Sequence, residues 1–154
     1  MNLFLQIHRF HRNYMARLTT MLVPDGLTPG NWSLLQFLHE HESATSSQLA
    51  AHWDVEKPTV SGNVKQMLAL DLIAVMPGED KREKKLALTE NGSMLYEKLS
   101  TEIAAMQERI LQDVPPTVRT QLEQALAIAK CANEGKSAFL ANICLLYTSP
   151  SPRD

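Results

Sequence analysis

The sequence predicts a mainly α-helical fold with one small β-hairpin, on three observations. Apolar residues recur every three or four positions from Leu3 to Leu22 and again beyond Thr89, as they do on amphipathic helices. Capping residues and a proline place two short helices in close succession between Thr45 and Ala69. After Asp71 the apolar period shortens to two, which is typical of a hairpin.

The composition favours one globular domain and does not by itself indicate nucleic-acid binding. The chain has 154 residues, of which 44% are hydrophobic, and this is enough for one sizeable core. Its 15 Lys and Arg against 17 Asp and Glu give a formal charge of −2, so a DNA-binding surface has to come from local clusters of cations. No apolar run approaches the ~20 residues that span a bilayer, and charge interrupts the N-terminus too often for a signal peptide. We therefore expect a cytoplasmic protein with no membrane partner.

The first helix is predicted from Leu3 to Leu22 and is strongly cationic. It contains no acidic residue, and its basic side chains are those of His8, Arg9, His11, Arg12 and Arg17. These side chains could face DNA phosphate, an anionic ligand or the solvent. The histidines lack the further N or S donors that a structural zinc ion needs, so we expect neither a metal site nor a cofactor.

The second helix is predicted to begin with Thr28 as its N-cap. A threonine side chain can accept a hydrogen bond from the free backbone N–H groups of the first turn, and Pro29 fits that turn because its missing N–H costs nothing there. Leu27 and Trp32 flank the cap as a hydrophobic staple. The leucines that follow predict a largely buried helix that ends between residues 40 and 43.

The third and fourth helices make up the predicted helix-turn-helix. Thr45 and Gln48 have the spacing of a capping box, and the fourth helix starts at Lys57 and Pro58. One edge of this fourth helix is apolar and should be buried; its residues are Val60, Val64, Met67 and Leu68. The rest of the helix is small or polar and could reach base edges or phosphates; these residues are Lys57, Pro58, Thr59, Ser61, Gly62, Lys65 and Gln66. Gly62 costs roughly 1 kcal/mol against alanine in a helix, so either another surface approaches it closely or the helix tolerates the cost.

The predicted hairpin has a charged tip. Ile73 and Val75 should alternate inward before the chain turns at Pro77, and Leu86 and Leu88 should do so on the way back. Between them, residues 79–85 carry four cations and three anions, a composition that also suits a solvated loop. Helix, turn, helix and hairpin in this order predict a winged helix-turn-helix.

The tip and the returning strand also resemble a known family. Asp80-Lys81-Arg82, three further residues and then Leu86-Ala87-Leu88-Thr89 are similar to the wing signature of the MarR family, the multiple antibiotic resistance regulators. The resemblance covers about residues 3–133 in element order. It implies a DNA-binding transcriptional regulator, a ligand-responsive repressor that binds inverted-repeat operators as a homodimer.

The resemblance also assigns roles to the tip. Arg82 would reach the minor groove or its phosphates, Asp80 would orient it, and Lys81 and Lys84 would add positive charge. Many family members carry arginine on the recognition helix near Gly62, where this chain has none, so base specificity does not carry over.

The helices outside the helix-turn-helix are predicted to form a dimer interface. Thr89 should cap a long helix that ends at the Pro115-Pro116 pair, and a last helix follows. Together with the first helix they carry more apolar surface than a small core can cover. In the family the same helices of a second subunit cover it. We therefore expect a single MarR-like domain over residues 1–143, with the winged helix-turn-helix at about 28–89 and dimerisation helices at about 3–22 and 90–143.

The last eleven residues, 144–154, differ from the rest of the chain. Read back into codons, they resemble a transposon-end adapter of the kind used in sequencing libraries, and we expect the native sequence to diverge near Ile143. The alternative is an ordinary disordered tail, which the Ser and Pro content also suits.

Two questions of function remain open at the level of sequence. The cationic first helix beside aromatic residues suggests a pocket for a small aromatic or anionic effector, lined by His11, Arg12 and Trp32. No convergent set of nucleophile, base or metal ligands is present, so we expect no enzyme. The alternative to a DNA-binding regulator is a winged-helix module that binds another protein and not DNA.

Overall fold

The computed structural model describes residues 2–77, 79–80 and 82–134. These residues form two compact units, one up to Met106 and one from Gln107 onward. Six helices and three strands follow one another as α1 Leu3–Leu22, α2 Pro29–His41, β1 Ala44–Thr45, α3 Ser46–Trp53, α4 Lys57–Ala69, β2 Ile73–Pro77, β3 Lys84–Leu88, α5 Glu90–Leu111 and α6 Pro116–Glu134. The predicted fold class, mainly helical with a small β-wing, is confirmed. The expected adapter tail at 144–154 and the end of the last dimerisation helix lie outside the described residues.

The connection between α1 and α2 is a tight turn with caps on both sides. A 3-10 turn over Val23–Asp25 ends at Gly26, whose φ of +71° is favourable for glycine and strained for other residues. Thr28 then caps α2 as predicted, because its hydroxyl accepts a hydrogen bond from the Asn31 N–H. Asn31 returns the bond through its side chain to the Thr28 N–H at 2.9 Å, which completes a capping box that the sequence analysis did not anticipate.

The helix-turn-helix packs its apolar edge on α2 and the sheet. The Thr45–Gln48 capping box at the start of α3 is confirmed in both directions. Val60 and Met67 of α4 are fully buried, whereas Leu68, which was also predicted to be buried, is 38% exposed. The largest fully covered side chains of this core are Leu22, Leu34, Leu35, Leu38, Leu49, Met67, Ile73 and Leu99.

The wing belongs to a three-stranded antiparallel sheet of order β1-β3-β2. Ile73 pairs with Leu88 and Pro77 with Lys84, and the short strand β1 adds Ala44 opposite Leu86. Ile73 and Leu86 are buried as predicted, but Val75 is 48% exposed. The prediction for Val75 was wrong because only the first residue of β2 reaches the core, so the outer part of the ribbon has solvent on both faces.

The base of the wing is held against the start of α5 by main-chain contacts. The Leu72 carbonyl accepts a hydrogen bond from the Thr89 N–H at 3.1 Å. The Thr89 hydroxyl donates to the Asp71 carbonyl at 2.6 Å and accepts from the Gly92 N–H at 3.0 Å, which confirms the predicted cap. A Cβ atom on Gly92 would lie 2.0 Å from the Leu72 oxygen, so this approach requires glycine.

The second unit is organised around Arg119 at the corner between α5 and α6. Its Nη1 donates to both carboxylate oxygens of Glu108, at 3.0 and 3.1 Å, and the guanidinium also donates to the carbonyl oxygens of Leu111 and Val114. The Leu111 carbonyl also accepts from the Val114 N–H, so these bonds close the turn that follows α5. The predicted break between the two helices is present, but α5 ends at Leu111, before the two prolines, and α6 begins at Pro116.

We expect Gly92→Ala to lower the free energy of unfolding by about 2 kcal/mol or more, because backbone atoms cannot yield to the added methyl group as a side chain can. The control is Gly62→Ala in α4, where nothing lies within 4 Å of an added Cβ and the better helix propensity should stabilise by up to about 1 kcal/mol. Urea unfolding of the three proteins at one protein concentration measures both effects. A shift of the same sign and size in both variants would contradict the close contact at Gly92.

Candidate nucleic-acid interface

The outward face of α4 is polar and open. Thr59, Ser61, Gly62 and Lys65 are exposed, while Val60 holds the opposite edge in the core. Pro58 and Lys57 at the start of the helix are exposed as well. α4 contains two lysines and no acidic residue, so its face carries only positive charge. This surface has the size and chemistry that a helix needs in order to lie in a major groove.

Gly62 lies in the middle of this face, and no other described part of the chain packs against it. No atom outside its own helix lies within 4 Å of the place where a Cβ would be. Of the two explanations for a glycine at this position, close approach therefore applies only to a surface outside the described chain, and tolerance by the helix is equally compatible with the structure. The helix backbone is accessible here to an external surface.

Gln66 was predicted as a base-reading residue, and the structure shows its amide engaged within the chain. Its Nε2 donates to the carbonyl oxygen of Gly26 at 3.1 Å, across forty residues of sequence. The bond ties α4 to the turn after α1. Gln66 is exposed beside the outward face of α4, with one of its two amide N–H groups used in this bond.

A second amide contact, between Asn31 and Asn63, was missed by the sequence analysis. Asn31 is 0% exposed and donates through Nδ2 to Oδ1 of Asn63 at 3.1 Å. Asn63 in turn donates to the Thr59 carbonyl of its own helix at 3.4 Å. An asparagine three residues after an N-cap threonine is the one local signal that could have indicated Asn31.

The wing tip presents cations to solvent. Arg82 and Lys84 are exposed, and so is Asp80, while Lys81 lies outside the described residues. The Asp80 carboxylate accepts a hydrogen bond from the backbone N–H of Arg82 at 3.2 Å. Asp80 therefore fixes the main chain of the tip, whereas the expectation was that it would hold the guanidinium itself. A carboxylate two residues before an amide readily closes such a turn, and the long arginine side chain stays available.

The three residues expected to line an effector pocket are not brought together. Trp32 is 4% exposed, and its ring stacks on Tyr96 with centroids 5.3 Å apart; Tyr96 also stacks on His39 at 4.0 Å. His11 and Arg12 are exposed on α1. No hydrogen bond, ion pair or ring contact between described residues joins either of them to Trp32.

The described part of the chain offers three further observations. A cavity of about 180 Å³ opens between α2 and the helix-turn-helix, lined by Gly30, Ser33, Trp53, Val55, Thr59, Val60 and Asn63. Among residues 2–77, 79–80 and 82–134, no group of three or more His, Cys, Asp and Glu is placed to hold a metal ion. Within the same ranges, no helix has both the length and the apolar character needed to cross a membrane.

Comparison with known proteins gives consistent matches. A MarR family profile matches residues 25–83. The HTH-type transcriptional regulator YwoH of Bacillus subtilis is 30% identical over 108 residues, which cover 70% of this chain and 79% of that protein. These proteins are regulators of transcription and not enzymes.

Two solved structures show the same fold. MarR of Staphylococcus aureus in complex with salicylate and kanamycin aligns with a TM-score of 0.79 and 23% identity, over 87% of this chain and 91% of that one. A mutant MarR of E. coli complexed with operator DNA aligns with a TM-score of 0.73 and 17% identity, over 80% and 90%. From the profile, the relative and the fold together, this chain belongs to the MarR family of transcriptional regulators.

Proposed function

We propose that this protein is a ligand-responsive repressor that binds inverted-repeat operators as a homodimer, with α4 in the major groove and the wing beside it. The observation that carries the DNA-binding part is the exposed face of α4, which is polar and cationic although the opposite edge of the same helix is buried. A module that bound only another protein would have no need of a helix face without a single acidic or large apolar residue at its centre.

The proposed roles on α4 follow from side-chain chemistry. The hydroxyls of Thr59 and Ser61 can both donate and accept at base edges, and Gly62 between Ser61 and Asn63 allows the helix backbone to come close to them. Lys57 and Lys65 would neutralise phosphates. Pro58 has no N–H and that of Thr59 bonds to the Glu56 carbonyl oxygen, so at the helix start the Lys57 N–H would be the backbone donor to an anion.

The wing residue with the clearest role is Arg82. Its guanidinium keeps its charge at any physiological pH and donates several hydrogen bonds in one plane. In a narrow minor groove such a group gains from the concentrated negative potential and from phosphate contact. Asp80 supports it indirectly by fixing the backbone of the tip, and Lys81 and Lys84 add charge.

Dimerisation is supported by apolar surface that the chain leaves uncovered. The first half of α1 exposes Leu3, Phe4, Leu5, Ile7 and Phe10, and α6 exposes Val118, Leu122, Leu126 and Ile128. The stripe on α5 differs, because Leu99, Ile103 and Met106 are already buried. Isologous pairing of two copies through α1 and α6 would cover this surface and set two recognition helices about 34 Å apart.

The proposed effector is a small aromatic anion. α1 displays Arg9, Arg12 and Arg17 without an acidic neighbour on the helix, and the structurally similar protein from Staphylococcus aureus is a complex with salicylate. For release of DNA, such a ligand must bind the DNA-free form more tightly than the complex. Since Trp32 is covered by Tyr96, the ligand would contact His11 and Arg12 and reach Trp32 only if that stack opened.

We expect Arg82→Ala to weaken operator binding by about 1 to 3 kcal/mol and to reduce the salt dependence of binding, because one phosphate neutralisation is lost. Lys65→Ala should weaken binding too, with a changed sequence preference only if the ammonium touches a base. Fluorescence titration of a dyad-symmetric duplex at several salt concentrations measures both quantities. Arg109→Ala, which removes the same guanidinium from an exposed position on α5, is the matched control. Equal affinity and equal salt slope for all four proteins would favour the protein-binding module instead.

We expect Leu126→Asp to convert the dimer to monomer and to abolish tight binding to a two-half-site duplex, because it places a charge in the proposed apolar interface. Thr120→Asp adds the same charge to the same helix at an exposed position on the side away from Val118, Leu122 and Leu126, and it should leave both properties intact. Sedimentation velocity gives the oligomeric state. A wild-type protein that is monomeric at micromolar concentration would refute this part of the proposal.

We expect millimolar salicylate to lower the affinity for DNA, and Arg12→Ala to remove most of that response because it removes the charge that attracts the carboxylate. Salicylamide, which has nearly the same shape and no charge, is the control ligand. The response is measured as the shift of the DNA-binding midpoint in each protein. No shift with salicylate, or an equal shift with salicylamide, would argue against an anion site on α1.

A further inference from the structure

We infer that Asn63 is a positioning residue: through the buried amide of Asn31, it fixes the recognition helix α4 on the connection between α1 and α2, so that the exposed face meets DNA in one register. The inference rests on the DNA-binding function proposed above and adds a residue to it. Asn31 itself is fully buried and cannot touch DNA, so it can act on binding only through its bond to Asn63 or through its cap on α2.

The oxygen and the nitrogen of the Asn31 side chain each form a hydrogen bond within this arrangement. Its oxygen accepts from the Thr28 N–H at 2.9 Å, and its Nδ2 donates to Asn63 at 3.1 Å. A buried amide that lost the second bond would keep the cost of desolvation without compensation. Asn63 is therefore held at one distance and one angle from the cap of α2.

A second bond reaches the same connection one turn further along α4. Gln66 follows Asn63 by three residues, so the two side chains lie on the same side of the helix, and Gln66 donates to the Gly26 carbonyl at 3.1 Å. Gly30 leaves space for the contact, since a Cβ there would lie 3.1 Å from Oδ1 of Asn63. Both amides of α4 thus bond within the segment Gly26–Asn31.

Directional bonds are needed here because the apolar contacts of α4 are few. Val60 and Met67 are the buried residues of α4. Apolar burial is not directional, so it does not by itself fix a helix against rotation or sliding. Hydrogen bonds at two points three residues apart do fix both, because each weakens steeply when its angle changes. The segment they bond to begins at Gly26, which ends the 3-10 turn that follows α1.

The experiment is a double-mutant cycle on DNA specificity with Asn31→Leu, Asn63→Leu and the double variant. The probes are a duplex selected from a randomised library by the wild-type protein and a shuffled duplex of the same length and composition. The measured quantity is the ratio of the two affinities. A variant that only lowered the folded fraction would weaken both duplexes equally and leave the ratio unchanged.

We expect each single variant to lower the ratio by about threefold to tenfold, which corresponds to one net hydrogen bond, and the double variant to lie no lower than the weaker single variant. Ile103→Val, a mild truncation in the core away from α4, is the control for lost stability and should leave the ratio unchanged. Circular dichroism at the assay temperature confirms that every variant is folded.

Three results would overturn the inference. An unchanged ratio in Asn31→Leu would show that the buried amide does not affect recognition. Multiplying effects in the double variant would show that Asn63 contacts DNA directly and that Asn31 acts only in its cap. An equal loss in Ile103→Val would assign the effect to stability. Failure of the wild-type protein to select any duplex would instead refute the proposed function, so the two failures are distinguishable.

Discussion

The winged helix depends on one close contact between main chains. The Leu72 carbonyl sits where Gly92 has no side chain and accepts the Thr89 N–H, so the end of α4, the base of the wing and the start of α5 meet at one point. Apolar side chains could be exchanged for others of similar volume, but a carbonyl oxygen has no alternative position here. The direction in which the ribbon leaves the core, and with it the place of Arg82, follows from this contact.

Local signals predicted most of the fold. The caps at Thr28, Thr45 and Thr89 satisfy backbone N–H groups within a few residues, and the prolines at 29, 58 and 116 have no N–H that needs a partner in the first turn. The sequence alone therefore indicates these helix starts. Hydrophobic alternation failed at Val75, because periodicity says which residues share a face and not whether anything covers that face. Leu68, which was also predicted to be buried, lies one residue before α4 ends.

The candidate site was less accessible to sequence reasoning, since its geometry depends on pairs that are distant in sequence. Asn31 and Asn63 are 32 residues apart, and Gln66 and Gly26 are 40 apart. Neither pair has a motif, and an amide on a helix surface is as compatible with solvent as with a partner. The wing motif implies a DNA contact for Arg82, which the structure shows exposed, but the bond from the Arg82 N–H to the Asp80 carboxylate appears only in the structure.

Because the space around Gly62 is open, this glycine can be replaced by other residues without repacking the core. Val60, Met67 and Asn63 on the same helix reach into the core or bond to a neighbouring element, so altering any of them would disturb the scaffold as well as the surface. At position 62 the surface can change without the scaffold, because a side chain as long as arginine could be added there while each internal contact of the helix is kept. Divergence of operator preference among close relatives would then require a single codon, with the folded framework inherited unchanged.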